Sequence, residues 1–159
     1  MKITIISVGK LKEKYLLDGI AEYVKRLSKY TKVEEIVLAD EPIKDKDSGA
    51  LNEEIKKKEG KKILAAIDSK SYKIALDLRG KMLSSEELAQ KVLEIATYHA
   101  SNITFIIGGS LGLSKEVISS VDYSLCFSKM TFPHQLMKLI LVEQIYRAFK
   151  INNNETYHK

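Results

Sequence analysis

The stretch ITFIIGGSLGLSKEV at residues 103–117 begins with an apolar run, continues through a glycine-rich bend and ends in the opening of a helix. In an α/β protein, a strand, a glycine loop and a helix in this order often hold a nucleotide. The loop lacks the parts that bind phosphates. No Lys-Ser or Lys-Thr follows Gly112, as a P-loop requires, and the glycine spacing is not that of the dinucleotide fingerprint. The stretch therefore predicts a glycine-dependent site that does not bind pyrophosphate.

Strand-like and helix-like segments alternate along the rest of the chain. The apolar, β-rich segments predict strands at 2–8, 32–39, 72–78, 103–108 and 123–128. Amphipathic or capped segments predict five helices. The first covers 12–30, and the second follows the loop at 40–49 and runs through the lysine-rich region to about residue 67. The third runs from Ser84 or Ser85 to His99, the fourth covers 114–121, and the fifth runs from Pro133 to Lys150. Residues 40–49 predict a loop. The alternation predicts one α/β domain over residues 1–159, with a mostly parallel sheet.

Composition and cysteine content narrow the class of protein. The chain has 159 residues, 45% hydrophobic and 30% charged, which is typical of a globular protein with its own core. Cys126 is the only cysteine, so no intrachain disulfide can form, and its apolar neighbours predict a small core residue. No segment predicts a signal peptide or a membrane span. We therefore expect a cytoplasmic protein.

The charge pattern favours a polyanionic partner without identifying one. The formal net charge is +5, and many of the lysines lie in EEIKKKEGKKI at 53–63. The interleaved glutamates there predict a solvated helix face, and direct contact with RNA is the alternative.

The last predicted helix is apolar around almost its whole circumference. These side chains are Leu136, Met137, Leu139, Ile140, Leu141, Val142, Ile145, Tyr146 and Phe149. Such a helix needs cover on more than one side, which a second subunit can provide. The pattern predicts a homodimer through the C-terminal helix; the alternative is a helix buried within its own domain.

Three segments that follow predicted strands carry unusual residues: ALDLRGK (75–81), IIGGSLGLS (106–114) and FSKMTFPH (127–134). Ligands of parallel α/β sheets bind outside the carboxyl ends of the strands. Glycines allow the backbone to approach a ligand closely, and the glycine-rich bend suits an uncharged, partly apolar ligand. Adenosine joined to a short amino-acid chain fits that description, so we expect S-adenosylmethionine as the cofactor.

These segments, taken together, resemble the RlmH group of SPOUT methyltransferases. The resemblance rests on LDLRGK, FIIGGSLGLS, SKMTFPHQLMKLILVEQIYRA and the terminal NNNETYHK, and it extends from the opening MKITIISVGK to the end of the chain. It implies a SPOUT-type α/β fold with helices on both faces of the sheet and a deep trefoil knot in the C-terminal half. It also implies methylation of N3 of a pseudouridine in large-subunit (23S) ribosomal RNA, on the assembled ribosome.

The resemblance also implies the residues of the site. The implied cofactor pocket consists of Leu76, Gly108, Phe127, Ser128, Lys129, Met130, Thr131 and Phe132. The candidate catalytic residues are Arg147, Tyr157 and His158. The resemblance implies that the terminal Tyr-His completes the active site across the dimer. Arg147 lies on the polar remnant of the apolar helix, which predicts that it holds a phosphate or the target base. An ion pair with Glu143, four residues earlier, is the structural alternative for Arg147. Composition alone predicts that the last nine residues, 151–159, are unstructured.

Other polar residues near the three loops receive weaker predictions. His134 is predicted to have either a structural role or a substrate contact, and His99 to be a surface residue at a helix end. Asp77 is expected to order the turn that follows its strand or to contact RNA, and Arg79 to contact at most a phosphate. The three histidines lack metal-ligand spacing, so no metal is expected.

Two competing functions follow from the same features. A ribosome-binding factor without catalytic activity would share the basic charge and the apolar C-terminal helix. A flavodoxin-like nucleotide protein would share the alternation of strands and helices but needs phosphate-binding residues that the loops do not supply.

Overall fold

One parallel sheet with helices on both faces forms the fold. The computed structural model describes residues 1–43 and 49–159. The strands are β1 (Lys2–Val8), β2 (Lys32–Leu38), β3 (Tyr72–Met82), β4 (Asn102–Ile107) and β5 (Tyr123–Cys126). The helices are α1 (Lys14–Leu27), α2 (Gly49–Ala66), α3 (Ser85–Tyr98), α4 (Lys115–Ser120) and α5 (His134–Asn152). The predicted α/β class and parallel sheet are confirmed.

The strands β1 and β4 form the centre of the sheet because their side chains are apolar on both faces. The strand order is β2-β1-β4-β3-β5, and these neighbouring strands are paired in parallel. β1 and β4 are paired in register with Ile5 opposite Phe105, and both of these side chains are fully buried. A parallel strand that is covered on both faces needs such a continuous apolar run.

The helices divide into two layers. One core cluster joins α1, α3 and α5 to one face of the sheet, and a second joins α2 and α4 to the other face. Alternate residues of β1 serve the two clusters, with Ile5 facing the first and Ile6 the second. The alternation follows from the two-residue period of a strand. The sheet therefore presents its carboxyl edge, between the two layers, to solvent.

The predicted start of α3 is confirmed at Ser84. Its hydroxyl accepts a hydrogen bond from the backbone N–H of Glu87, and the Glu87 carboxylate accepts one from the backbone N–H of Ser84. This capping box satisfies two backbone donors that a helix start leaves unpaired, and such caps contribute about 1 kcal/mol. Ser114 caps α4 through one such bond only, because its hydroxyl accepts from the backbone N–H of Val117.

The strand β3 differs from its prediction. The sequence predicts that it ends near residue 78, before the turn at Arg79-Gly80. In the structure it continues to Met82, because both Leu76 and Lys81 pair with Leu125 of β5 and the residues between them bulge out of the ladder. A local turn signal thus lies inside a strand. The predicted loop at 40–49 lies partly outside the described residues, since residues 44–48 are not described.

The prediction that residues 151–159 are unstructured is wrong. α5 continues to Asn152, and the chain then turns back at Asn154, whose φ is +54°. Glu155 forms an ion pair with Lys150 and accepts a hydrogen bond of 2.9 Å from the Tyr30 hydroxyl. These tertiary contacts order a polar segment, and its composition alone does not predict that order.

The helix α5 is fully buried along one face, and its own chain covers the rest of its surface only in part. Leu141, Val142 and Ile145 are fully buried against the core cluster that joins α1 and α3. Lys138 is also buried, and it forms an ion pair of 2.7 Å with Glu35 of β2. The remaining apolar side chains of the helix, such as Met137 and Ile140, are half-buried.

Gly60 in α2 is predicted to be essential for the contact between α2 and α4. A Cβ at this position would lie 2.4 Å from the Ser114 hydroxyl oxygen and 3.2 Å from the Ser114 Cβ. We expect Gly60→Ala to lower the free energy of unfolding by about 1–3 kcal/mol, the usual cost of overpacking. Gly49→Ala is the control, because a Cβ on Gly49 meets nothing within 4 Å. Urea unfolding of both variants tests this, and an unchanged midpoint for Gly60→Ala would contradict it.

Candidate active site

A cavity of about 610 Å³ opens at the carboxyl edge of the sheet. Its wall comes from the bulged part of β3 and from the segments that follow β4 and β5, together with the start of α5. Cavities of several hundred cubic ångströms are typical of small-molecule sites. The three segments that the sequence singles out therefore meet around one cavity.

The glycine loop after β4 forms a wall made of backbone. A Cβ on Gly108 would lie 2.8 Å from the carbonyl carbon of Gly112, so no side chain fits there. Gly112 has a φ of +84°, and its N–H donates a hydrogen bond of 3.0 Å to the Gly109 carbonyl. Only glycine adopts this backbone region without strain. The tight turn brings main-chain donors and acceptors to the surface of the cavity.

The segment after β5 forms the facing wall and is held by its own hydrogen bonds. The Ser128 hydroxyl accepts a hydrogen bond of 3.0 Å from the Met130 N–H. The Cys126 thiol lies 3.1 Å from the Ser128 carbonyl oxygen, and Cys126 is buried, as the sequence predicts. The loop is therefore shaped before any ligand arrives.

Seven of the eight predicted cofactor residues line this cavity: Leu76, Gly108, Phe127, Ser128, Met130, Thr131 and Phe132. Lys129 belongs to the same loop, but it is exposed and does not appear in the wall. Of the described residues, no lysine or arginine lines the cavity. Backbone groups with apolar side chains and no cation fit a cofactor such as S-adenosylmethionine, which has an adenosine but no phosphate.

His134 lies where α5 begins at the rim of the cavity. Burial lowers the pKa of its imidazole, so the ring is neutral at pH 7. A Cβ on Gly9, whose φ is +93°, would lie 3.4 Å from the His134 Nε2. The sequence leaves open whether His134 is structural or contacts substrate, and its position in the wall is compatible with both.

Glu59 supports the glycine loop from behind, which the sequence analysis misses. The prediction of a solvated face for the glutamates at 53–63 is wrong at this residue, because Glu59 is 5% exposed. A Cβ on Gly109 would lie 3.2 Å from both Glu59 carboxylate oxygens, and the Glu41 N–H donates to one of them at 3.3 Å. The signal available in the sequence is Gly60, because a glycine within a helix often marks a close approach.

The predicted catalytic residues form a second cluster, at the other end of α5. Arg147 donates hydrogen bonds to the Glu143 carboxylate, with the shortest contact at 2.6 Å, so the ion pair proposed as its structural alternative does form. The Tyr157 hydroxyl donates to the same carboxylate oxygen at 3.0 Å, and its ring packs 4.7 Å from the Arg147 guanidinium. Burial raises the pKa of Tyr157. The structure thus brings all three predicted catalytic residues together.

The His158 ring is held from both sides. Its Nδ1 lies 3.2 Å from the Arg147 Nη1, and its Nε2 lies 2.7 Å from the Glu86 carboxylate. A guanidinium only donates, so this Nδ1 accepts and the proton of the neutral ring is on Nε2. The hydrogen bond from His158 lowers the pKa of Glu86 to about 2. Glu86, which the sequence suggests only as part of a helix cap, is therefore also an anchor for the tail.

The cluster and the cavity are far apart in one chain. His134 lines the cavity, and Arg147 follows it on the same helix by about 20 Å at a rise of 1.5 Å per residue. Neither Arg147 nor the tail residues appear in the wall of the cavity.

The sequence of this chain matches a known protein family. The family model described as "Predicted SPOUT methyltransferase" matches residues 1–158. The chain therefore belongs to the SPOUT methyltransferase family.

Its full-length relatives define a group within that family. Several relatives are named ribosomal RNA large subunit methyltransferase H. Their sequence identity to this chain is 60% for the protein from Alkaliphilus oremlandii, 59% for that from Clostridium novyi and 57% for that from Carboxydothermus hydrogenoformans. Each comparison covers 100% of this chain and 100% of the relative. The resemblance found in the sequence is thereby confirmed.

Solved structures show the same fold at low sequence identity. A probable methylase family protein from Haemophilus influenzae superposes with a TM-score of 0.54 at 18% identity, over 99% of this chain and 70% of the other. A putative methyltransferase from Legionella pneumophila, solved with bound SAM, superposes with a TM-score of 0.52 at 10% identity. This superposition covers 94% of this chain and 66% of the other.

Residues 1–43 and 49–159 contain neither a candidate metal site nor a candidate membrane span. No group of three or more His, Cys, Asp or Glu side chains in these ranges could hold a metal ion. In the same ranges no helix is long and apolar enough to cross a membrane.

Glu59 gives this site a pH-dependent stability. Burial raises the pKa of its carboxyl group above the usual 4.5, so the folded protein is penalised as pH rises through the folded pKa. We expect Glu59→Gln to melt at a higher temperature than the unsubstituted chain at pH 8, where the folded protein must hold a charged, buried carboxylate. The difference should shrink as the pH falls below 4.5, because the carboxyl group is then increasingly protonated in both states.

The control for this measurement is Glu54→Gln, an exposed glutamate on the same helix. It should leave the melting temperature unchanged across this pH range. A Glu59→Gln variant that melts lower at pH 8 would show that the ionised carboxylate stabilises the loop.

Proposed function

We propose that this chain transfers a methyl group from S-adenosylmethionine to N3 of a pseudouridine in large-subunit ribosomal RNA, on the assembled ribosome. Family membership and the names of the full-length relatives support a large-subunit ribosomal RNA methyltransferase. The observation that carries the proposal is the cavity of about 610 Å³ in which three separate loops meet. The substrate implies a cytoplasmic location.

The wall of the cavity would hold the cofactor largely through the main chain. Backbone groups of Gly108 and of the loop from Phe127 to Phe132 are suited to the polar edge of adenine. Leu76 and Phe132 offer apolar surface to the faces of the ring. Lys129 is the exception among the predicted residues, because its exposed position supports no cofactor contact.

The chain must also prepare the accepting nitrogen. Bound S-adenosylmethionine supplies an electrophilic methyl group on its sulfonium. N3 of a uracil-like ring carries a weakly acidic proton, which must leave before that nitrogen can attack. In our proposal His158 accepts the proton, Tyr157 stacks on or hydrogen-bonds the base, and Arg147 binds a phosphate or the base. His158 can accept at Nδ1 only after Arg147 moves away from it.

The distance between the cavity and the tail cluster supports a homodimer through α5. Within one chain, about 20 Å of helix separates the cavity from the tail cluster. A complete site therefore needs the tail of a second subunit. Met137 lies on α5 at the wall of the cavity, and Ile140 lies further along the helix toward the tail cluster. They line cavities rather than the core, and they are half-buried. These side chains offer an apolar surface to a partner helix.

Two further features belong to the proposal. Residues 1–159 would form one methyltransferase domain, consistent with a family match that spans residues 1–158. The trefoil knot in the C-terminal half stays a prediction of the family resemblance.

Labelled cofactor tests the activity directly. We expect the protein to label one pseudouridine of the large-subunit ribosomal RNA in ribosomes from a strain that lacks the gene. Ribosomes that already carry the modification are the control. Calorimetry should show binding of S-adenosylmethionine by the protein alone. Cofactor binding without labelling, or no binding at all, would support the non-catalytic ribosome-binding factor instead.

Mixing of variant subunits tests whether the site is shared. We expect His158→Ala to retain cofactor affinity and lose transfer, and Gly108→Ala to lose the cofactor because its Cβ meets Gly112. A mixture with random exchange should recover about a quarter of wild-type activity, since half the dimers then have one complete site.

The outcomes of the mixing experiment are distinct. If the tail acts within its own chain, the mixture stays inactive. His99→Ala is the control, because His99 caps the end of α3 and its side chain is 49% exposed. Light scattering should give twice the 18.0 kDa of one chain, and a monomer mass would contradict the dimer.

A further inference from the structure

The end of β3 forms a projection at the mouth of the cavity. Leu76 and Lys81 both pair with Leu125, so residues 77–80 are pushed out of the ladder. We call these residues, Asp77-Leu78-Arg79-Gly80, the β3 lip. Asp77 and Leu78 line the cavity. The lip therefore stands beside the place proposed for the methyl donor.

The lip has a defined shape. A Cβ on Gly80 would lie 2.5 Å from the Ser124 carbonyl oxygen, so only glycine allows the returning chain to lie this close to β5. The Asp77 carboxylate accepts a hydrogen bond of 3.3 Å from the Arg79 N–H. Asp77 thus orders the turn, which is one of the two roles that its sequence context suggests. Such side-chain to backbone bonds are typical of fixed turns.

The outer surface of the lip is apolar and open. Leu78 is 57% exposed, and Met130, which also lines the cavity, is 72% exposed. Large apolar side chains with this exposure beside a cavity mark an interaction surface. Leucine and methionine are among the side chains that pack against the faces of unstacked bases.

Cations surround this apolar mouth. The Arg79 side chain is 73% exposed and makes a 3.4 Å contact with Asp77, and such exposed pairs are weak. Lys81 and Lys129 are exposed, and no carboxylate within residues 1–43 and 49–159 forms an ion pair with either. Three cations around an apolar mouth complement a nucleic acid, whose bases are apolar and whose backbone is anionic.

We propose that the β3 lip, with Met130 and Lys129, binds the single-stranded RNA segment that carries the target base. Leu78 and Met130 pack against the faces of bases in this segment, while Arg79, Lys81 and Lys129 contact its phosphates. Unpaired segments of RNA are recognised in this way, because their bases are free to contact side chains. The inference rests on the proposed function, and it assigns to Arg79 the phosphate contact that its position in the sequence allows.

The test uses two lip variants with matched controls. Leu78→Asn pairs with Leu93→Asn, an exposed leucine on α3. Arg79→Glu pairs with Lys70→Glu, an exposed lysine that precedes β3 at the opposite edge of the sheet. The probe is ribosomes from a strain lacking the gene. The readouts are KM for ribosomes, kcat, and cofactor affinity by calorimetry.

We expect both lip variants to raise KM for ribosomes about tenfold or more, the effect of one lost base or phosphate contact. Cofactor affinity should stay within twofold of wild type, and both controls should match wild type. Arg79→Ala should also reduce the slope of log affinity against log salt by about one.

Three results would overturn the inference. An unchanged KM for ribosomes would show that the lip does not contact RNA. Cofactor affinity that falls as much as kcat/KM would make the lip part of the cofactor pocket. Dissociation of the dimer in light scattering would make it a contact between subunits. Failure of the proposed function is distinguishable, because the wild-type protein would then label no ribosomal RNA.

Discussion

The close approach of the backbone at Gly108 and Gly112 is the constraint on which the candidate site depends. The returning chain lies so near Gly108 that a single Cβ would meet the Gly112 carbonyl carbon at 2.8 Å. The wall of the cavity is therefore made of peptide groups, which recognise a ligand by hydrogen bonds rather than by charge. The same tight turn places Ser114 where it caps α4, and Gly60 of α2 packs directly against Ser114. Core packing and site shape thus share one set of contacts.

The site is supported from both layers of helices. On one side Glu59 of α2 lies behind Gly109, and on the other α5 brings His134 to the rim. Both groups are titratable and partly or fully buried, and burial disfavours the charged form of each. Neither group supplies a cation to the cavity, which is therefore a poor site for phosphates. This agrees with a cofactor whose positive charge is on its own sulfonium.

Much of the fold follows from local patterns in the sequence, because they have one dominant cause. The apolar runs at 2–8 and 103–108 can be buried only as central parallel strands, and Ser84 with Glu87 fixes the start of α3. The sequence-based predictions fail where contacts between residues that are distant in sequence determine the local structure. The lip of β3 forms because Leu125 pairs twice, and the tail is ordered by Glu143 and Glu86, which are remote in sequence. No local pattern contains that information.

The number of residues in α5 sets the distance between the cavity and the tail cluster, because one continuous helix joins them. His134 and Arg147 are fixed relative to each other by the helical rise and by nothing adjustable. One inserted residue would shift the far end by about 1.5 Å and rotate it by roughly 100°. The buried pair of Lys138 with Glu35 prevents the near end from sliding to compensate. Side chains along this helix can therefore vary in kind, while its number of residues cannot change without moving one site relative to the other.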